Sequence, residues 1–256
     1  FCHWHTFDSS RYVIPYDRLI AQLENAYINC PSLEMIGWLD EDFLVCKPDI
    51  QDFLDLYKNS SLYPRVKQSL ETLPQYISES LLEKLWDANF KAIYLGYESP
   101  VERILLDIRK LRKNESYEFF RKAPYICYDA GFVTRCSTIT FYPLITENEL
   151  AVTIDEILNM INYGISIEVN PYVIAVPGSE ISNSHEFTAV KNEYVLGNNH
   201  HMEFYGEVLP IDEEIKQIAK ISLEKLPGQI VKVKNQFKLE NDFDMSFGVL
   251  AYLISI

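Results

Sequence analysis

The chain has 256 residues, 48% of them hydrophobic, enough for one large domain or a core with a small appendage. It carries 37 acidic against 23 basic residues, a net charge of −14 whose field repels phosphate backbones and argues against a nucleic-acid partner. No run of about 18 apolar residues is present, so no membrane-spanning helix and no membrane partner is predicted.

In chain order, the first element with clear periodicity is a helix over residues 16–29. Leu19, Ile20, Leu23, Ala26 and Tyr27 fall at helical spacing there, after Pro15 at its start. Residues 33–39 read as a strand followed by the acidic turn Asp40-Glu41-Asp42, residues 49–58 as a helix started by Pro48, and residues 65–70 as a strand. Ser78 is the predicted N-cap of a helix with Leu81, Leu82, Leu85 and Trp86 on one face. The apolar run 90–95 then delivers Gly96-Tyr97-Glu98-Ser99 to a strand's C-terminal end, where parallel sheets and barrels place their chemistry. Gly96 permits a bend or a close approach that a side chain would block.

Residues 100–112 read as a helix, and Arg109-Lys110-Leu111-Arg112-Lys113 as its solvated end. A helix over 117–130 is limited or kinked by Pro124 and ended by Gly131. Residues 132–141 are rich in β-branched side chains and read as a strand. An amphipathic helix over 149–163 is closed by Gly164. Residues 165–175 are strand-like, interrupted at Asn170-Pro171, and run into Val176-Pro177-Gly178-Ser179. From residue 182 the pattern weakens into a polar, aromatic loop region, and residues 212–226 form the last clear helix. Alternation of this kind implies parallel strands joined by right-handed crossovers, in a covered sheet or a barrel.

The five cysteines, Cys2, Cys30, Cys46, Cys127 and Cys136, show no CxxC spacing, which fits a reducing, cytoplasmic setting. Cys30, Cys46, Cys127 and Cys136 are expected to pack as small buried residues. His3 and His5 lie too close to Cys2 for a closed zinc site without distant partners, and His185, His200 and His201 read as loop histidines.

The order of these pieces resembles the radical SAM superfamily, in particular the branch in which a cobalamin-binding domain often precedes the radical SAM domain. The matching pieces are Phe1-Cys2, then Trp38-Leu39-Asp40-Glu41-Asp42-Phe43, then Glu71-Thr72 ahead of SESLLEKLWDANFKAIYLGYES. ITENELAVTIDEILNMINYG and Pro177-Gly178-Ser179 follow. The resemblance implies a partial (β/α)6 barrel of parallel strands over residues 1–181, with the first strand upstream of Phe1. Residues 182–256 would be a C-terminal extension on the substrate side. Two departures stand out. The family's Gly-x-Pro-Gly-Glu-Thr after the fifth strand is here Tyr142-Pro143-Leu144-Ile145-Thr146-Glu147, and the arginine often found after Glu-Thr is Leu73.

The resemblance also implies a chemistry. Three cysteines hold a 4Fe–4S cluster and leave one iron open for S-adenosylmethionine, whose reductive cleavage starts radical chemistry. Cys2 would be the last cluster ligand, with His3, Trp4 and Thr6 covering the cluster. Asp40 would accept from the methionine ammonium. Glu98 and Ser99 would bond the ribose hydroxyls or the methionine part. Arg135 is a candidate for a carboxylate at a strand end, and Asn170, Pro177 and Gly178 would form the wall against adenine. The expected partners are a small-molecule or peptide substrate and an electron donor such as flavodoxin or ferredoxin. Cobalamin would sit on a domain upstream of this chain; methyl transfer to carbon is one outcome, rearrangement or ring formation another. Two other readings stay open: a degenerate radical SAM-like binding or scaffold domain, and an unrelated α/β barrel enzyme.

Overall fold

The computed structural model describes residues 14–38, 43–44, 50–175, 192–196, 200–204, 206–208 and 210–221. Helix α1 (Tyr16–Asn29) leads to β1 (Met35–Trp38), α2 (Ile50–Lys58), β2 (Lys67–Thr72), α3 (Glu79–Asp87) and β3 (Phe90–Glu98). Then come α4 (Glu102–Asp107), α5 (Tyr117–Asp129), β4 (Val133–Phe141), α6 (Glu147–Tyr163) and β5 (Ser166–Ala175). Three shorter strands follow, β6 (Asn192–Leu196), β7 (His200–Phe204) and β8 (Gly206–Val208), and residues 213–221 form helix α7.

Strands β1 to β5 lie side by side in chain order, every pair parallel. Strand β8 adds an antiparallel edge through Val173, Ile174 and Ala175, while β6 and β7 pair only with each other. Sequential parallel neighbours with crossovers of one hand put all their helices on one face of the sheet, as in a (β/α) barrel. This is the expected partial barrel. The stretch after residue 182, expected to be loop, instead contains three strands.

The element ends follow local chemistry. Ser78 caps α3 by accepting from the Leu81 N–H, and Ser116 caps α5 through the Phe119 N–H. Thr146 and Glu149 form a reciprocal capping box, so α6 begins at Glu147, two residues before the sequence suggests. Gly164 closes α6 at φ 104°, and a Cβ there would collide with the Tyr128 ring and hydroxyl. Asp212 caps α7 by accepting from the Glu214 and Ile215 N–H groups.

Several expectations shift. Helix α4 stops at Asp107, because Arg109 turns left-handed at φ 57° and the Lys110 and Leu111 N–H groups both close back on the Leu105 carbonyl. Helix α5 runs through Pro124. Strand β5 runs through Asn170-Pro171; β8 reaches only Val173 to Ala175, so the missing Pro171 N–H removes no ladder bond to it. Trp86 is 40% exposed; it packs edge-on to Phe132 and carries the Lys91 ammonium 3.5 Å over its ring. Cys127 and Cys136 are buried as expected, Cys30 is exposed at the end of α1, and Cys46 lies outside the described residues.

The core fills the helix-covered side of the sheet. Along β3, Ile93, Leu95 and Tyr97 are buried there, and Tyr97 stacks obliquely on Phe120 of α5. Gln68 sits fully buried and satisfied, accepting from Trp38 Nε1 and donating to the Ala88 carbonyl. The alternate residues of the same strands face away from the helices.

Candidate functional site

That helix-free face is polar over the N-terminal parts of its strands and apolar toward the ends of β4 and β5, where Ile139, Phe141 and Tyr172 are buried. By register it carries Ser69 and Glu71 on β2, Ala92, Tyr94 and Gly96 on β3, Arg135 and Ser137 on β4, and Glu168 and Asn170 on β5. A face built only to pack would be apolar; this one offers paired charges of both signs, the character of a ligand-binding wall.

Two clusters divide it. In the N-terminal half, Arg135 Nη2 donates to Glu168 Oε2 at 2.8 Å and the Tyr94 hydroxyl donates to the same oxygen at 3.2 Å. The Arg135 guanidinium lies 5.6 Å from the Tyr94 ring centroid. Burial, with the Glu168 carboxylate second, pushes the Tyr94 phenol well above its ordinary range, so it stays protonated and donates a hydrogen bond.

The second cluster stands at the C-terminal end of β3, four residues and about 13 Å further along. Glu98 opposes Thr138 across a bulge in the β3–β4 ladder. Its backbone is left-handed at φ 62°, a conformation that costs a non-glycine residue about 1–2 kcal/mol. Glu98 Oε1 lies 3.2 Å from the Lys110 ammonium, with the two side chains 15% and 21% exposed. Gly96 makes room for that pair: a Cβ at this position would lie 3.0 Å from Lys110 Nζ and 3.2 Å from Leu73 Cδ2. Here the glycine provides close approach. Lys110 is therefore not on a solvated helix end; the turn at Arg109 and a bond from Gln75 Nε2 to the Lys110 carbonyl aim it at the strand end.

Ser99 is fully buried, and its hydroxyl accepts from the Val101 N–H at 3.1 Å while its own N–H donates to the Tyr97 carbonyl. It holds the turn that follows Glu98. Arg135 is the third residue of β4, toward the opposite end of the sheet from Glu98, rather than at a strand end. Asn170 is half-buried opposite Ile139, next along its face to Tyr172, which packs on Phe141. Cys2, Asp40, Pro177 and Gly178, with His3, Trp4 and Thr6, lie outside the described residues. Among the described residues no group of histidine, cysteine or carboxylate side chains is arranged to hold a metal ion.

Lys110 is the site residue that sequence reading missed. Its only signal was a cation twelve positions after a strand-end carboxylate, too loose to assign.

The model of the Radical SAM superfamily matches residues 1–157. The chain belongs to the radical SAM superfamily. Members of this superfamily are generally enzymes. Among solved structures, the chain resembles the cobalamin-dependent S-adenosylmethionine radical enzyme OxsB with aqua-cobalamin and S-adenosylmethionine bound. That match has a TM-score of 0.62 at 12% identity, over 93% of this chain and 40% of that one. It also resembles the radical S-adenosylmethionine methyltransferase TsrM from Kitasatospora setae with cobalamin and a 4Fe–4S cluster bound, with a TM-score of 0.50 at 12% identity, over 62% of this chain and 31% of that one. At such identities the likeness is one of fold. This radical SAM chain thus spans well under half the length of either protein. No curated protein matches it.

Proposed function

We propose that this chain is the barrel portion of a radical SAM enzyme that binds S-adenosylmethionine along the C-terminal rim of its parallel strands. The observation that carries the reading is Glu98: a carboxylate held in a left-handed turn at the C-terminal end of β3, mostly buried and paired with the flexible Lys110. A carboxylate there can accept from ribose hydroxyls or from the methionine ammonium, and Lys110 can swing to a ligand carboxylate. Of the other proposed contacts, Asp40, Asn170, Pro177 and Gly178 complete the rim. Ser99 acts through the turn it closes, and Arg135 sets the charge of the floor with Glu168.

The cofactor set is a 4Fe–4S cluster, S-adenosylmethionine and, on a separate domain, cobalamin. When bound, the cluster supplies the electron that cleaves the sulfonium. Cys2 is its proposed ligand. Cys127 and Cys136 are buried on the helix-covered side and burial pushes both thiols up, Cys127 to about 12, so neither offers a thiolate. Among the described residues only the exposed Cys30 is left, and one thiolate does not hold a cluster, so the described residues do not fit it by themselves. The substrate is a small molecule or peptide, methyl transfer to carbon is one outcome and rearrangement or ring formation another, and an electron donor of the flavodoxin or ferredoxin class serves it. Residues 1–181 form the barrel portion and 182–256 an extension over its mouth. The setting is the reducing cytoplasm. No described helix is long and apolar enough to cross a membrane.

The test is anaerobic purification of the full-length protein, with iron and sulfide content and reductive cleavage of S-adenosylmethionine by dithionite as readouts. Cluster and cleavage are expected, and both should be lost in Cys2→Ala. A full-length protein that binds neither cluster nor S-adenosylmethionine would favour the scaffold reading instead.

A further inference from the structure

On the helix-covered face, reached by the Tyr97 side chain, a single buried carboxylate collects three donors. Glu156, in the middle of α6, is 5% exposed. It accepts from Arg121 Nη2 at 3.0 Å and from the Tyr125 hydroxyl at 3.2 Å, both on α5, and from the Tyr97 hydroxyl of β3 at 3.5 Å. Tyr97 is the residue immediately before Glu98. A second arm leaves the same hub: Arg121 lies against Tyr117, its guanidinium 5.9 Å from the ring centroid, and the Tyr117 hydroxyl donates to the Pro100 carbonyl. Pro100 is two residues after Glu98.

We propose that Glu156 is a positioning residue: through Tyr97 on one side, and through Arg121, Tyr117 and Pro100 on the other, it fixes the turn that presents Glu98 to the ligand. The inference rests on the reading of Glu98 as a contact to S-adenosylmethionine.

Packing alone does not call for this hub. Leucine at 156 with phenylalanine at 97 and 125 would fill similar space, and apolar replacements of buried ion pairs are often neutral or stabilising. What the polar version adds is direction, because a hydroxyl aimed at a carboxylate fixes where the strand end lies. Glu98 needs that, since a non-glycine residue persists in the left-handed region only where its surroundings over-determine it. Burial and the Glu156 charge both raise the Tyr97 phenol, which keeps it a donor.

The experiment uses the full-length, cluster-loaded protein with Tyr97→Phe, which removes one oxygen, and Glu156→Gln, which keeps the volume. Two readouts are taken: hydrogen exchange at the Ser99 and Val101 amides, whose bonds to the Tyr97 carbonyl and the Ser99 hydroxyl report the turn itself, and S-adenosylmethionine affinity by calorimetry. Both variants are expected to speed exchange at those amides about tenfold, with Ile93 and Leu95 unchanged. They should weaken binding about fivefold, and that loss should vanish in a Glu98→Gln background. Exchange rising equally along all of β3, or a fivefold loss that persists without the Glu98 carboxylate, would reduce Glu156 to a structural residue. If Glu98→Gln alone leaves affinity unchanged, the ligand reading of Glu98 falls, and the exchange data still decide whether the hub fixes the turn.

Discussion

Two arginine–glutamate pairs stand on opposite faces of one sheet. On the helix-covered face, Arg121 and Glu156 meet at 3.0 Å, with 38% and 7% of their side chains exposed. On the helix-free face, Arg135 and Glu168 meet at 2.8 Å, with 44% and 35% of their side chains exposed. If distance decided, the second pair would be the stronger. Surroundings decide instead. Water competes for the open pair and screens it, so it contributes little to stability and can exchange partners with a ligand. The buried carboxylate has no such alternative, so its donors are part of the fold. The same chemistry is built into the architecture on one face and left open to solvent on the other.

Stripping the buried Glu156 carboxylate of its arginine should have the largest effect. Arg121→Ala leaves Glu156 with tyrosine hydroxyls alone and is expected to cost about 3 kcal/mol, read from urea denaturation. Glu98→Gln comes next, and it acts on binding: a lost charge-assisted bond should weaken S-adenosylmethionine affinity about 10–100-fold, while stability moves by less than about 1 kcal/mol. Calorimetric titration beside thermal melts separates the two; a large fall in melting temperature with unchanged affinity would assign Glu98 to the architecture. Gly96→Ala should cost about 1 kcal/mol, because the new Cβ meets only the flexible ends of Lys110 and Leu73. A crystal structure of that variant should show Lys110 displaced from Glu98. Arg135→Ala is the smallest: a loss of about 0.5 kcal/mol that disappears in 1 M salt. Should Arg135→Ala destabilise as much as Arg121→Ala, the contrast between the faces would collapse.

Much of the frame was readable in the sequence because it is local. Apolar spacing gave α1 and α3, Ser78 and Gly164 marked element ends, and β-branched density marked β4. The delivery of Glu98 to a strand end was readable for the same reason. What escaped was set by distance along the chain. Glu98 meets Lys110 only because Arg109 closes α4 early, and no periodicity encodes that turn. Glu156 looks like one more acid on an amphipathic helix until residues from β3 and α5 converge on it. Strands β6 to β8 were hidden because polar and aromatic residues there do not alternate cleanly. Ser99 carried the right chemistry, but its hydroxyl is used by its own turn.

The turn after β4 has a thermodynamic consequence. Tyr142-Pro143-Leu144-Ile145-Thr146 contains no glycine, and Ile145 is 3% exposed with its N–H on the Tyr142 carbonyl. Arg103 clamps it from outside, donating to the Leu144 carbonyl at 2.8 Å, to both Glu149 oxygens and to Asp107. A chain without glycine has fewer unfolded conformations to surrender, about 0.4–1 kcal/mol per position. This lip of the sheet is therefore ordered before any ligand arrives, and a molecule settling against it spends little of its affinity on freezing the loop.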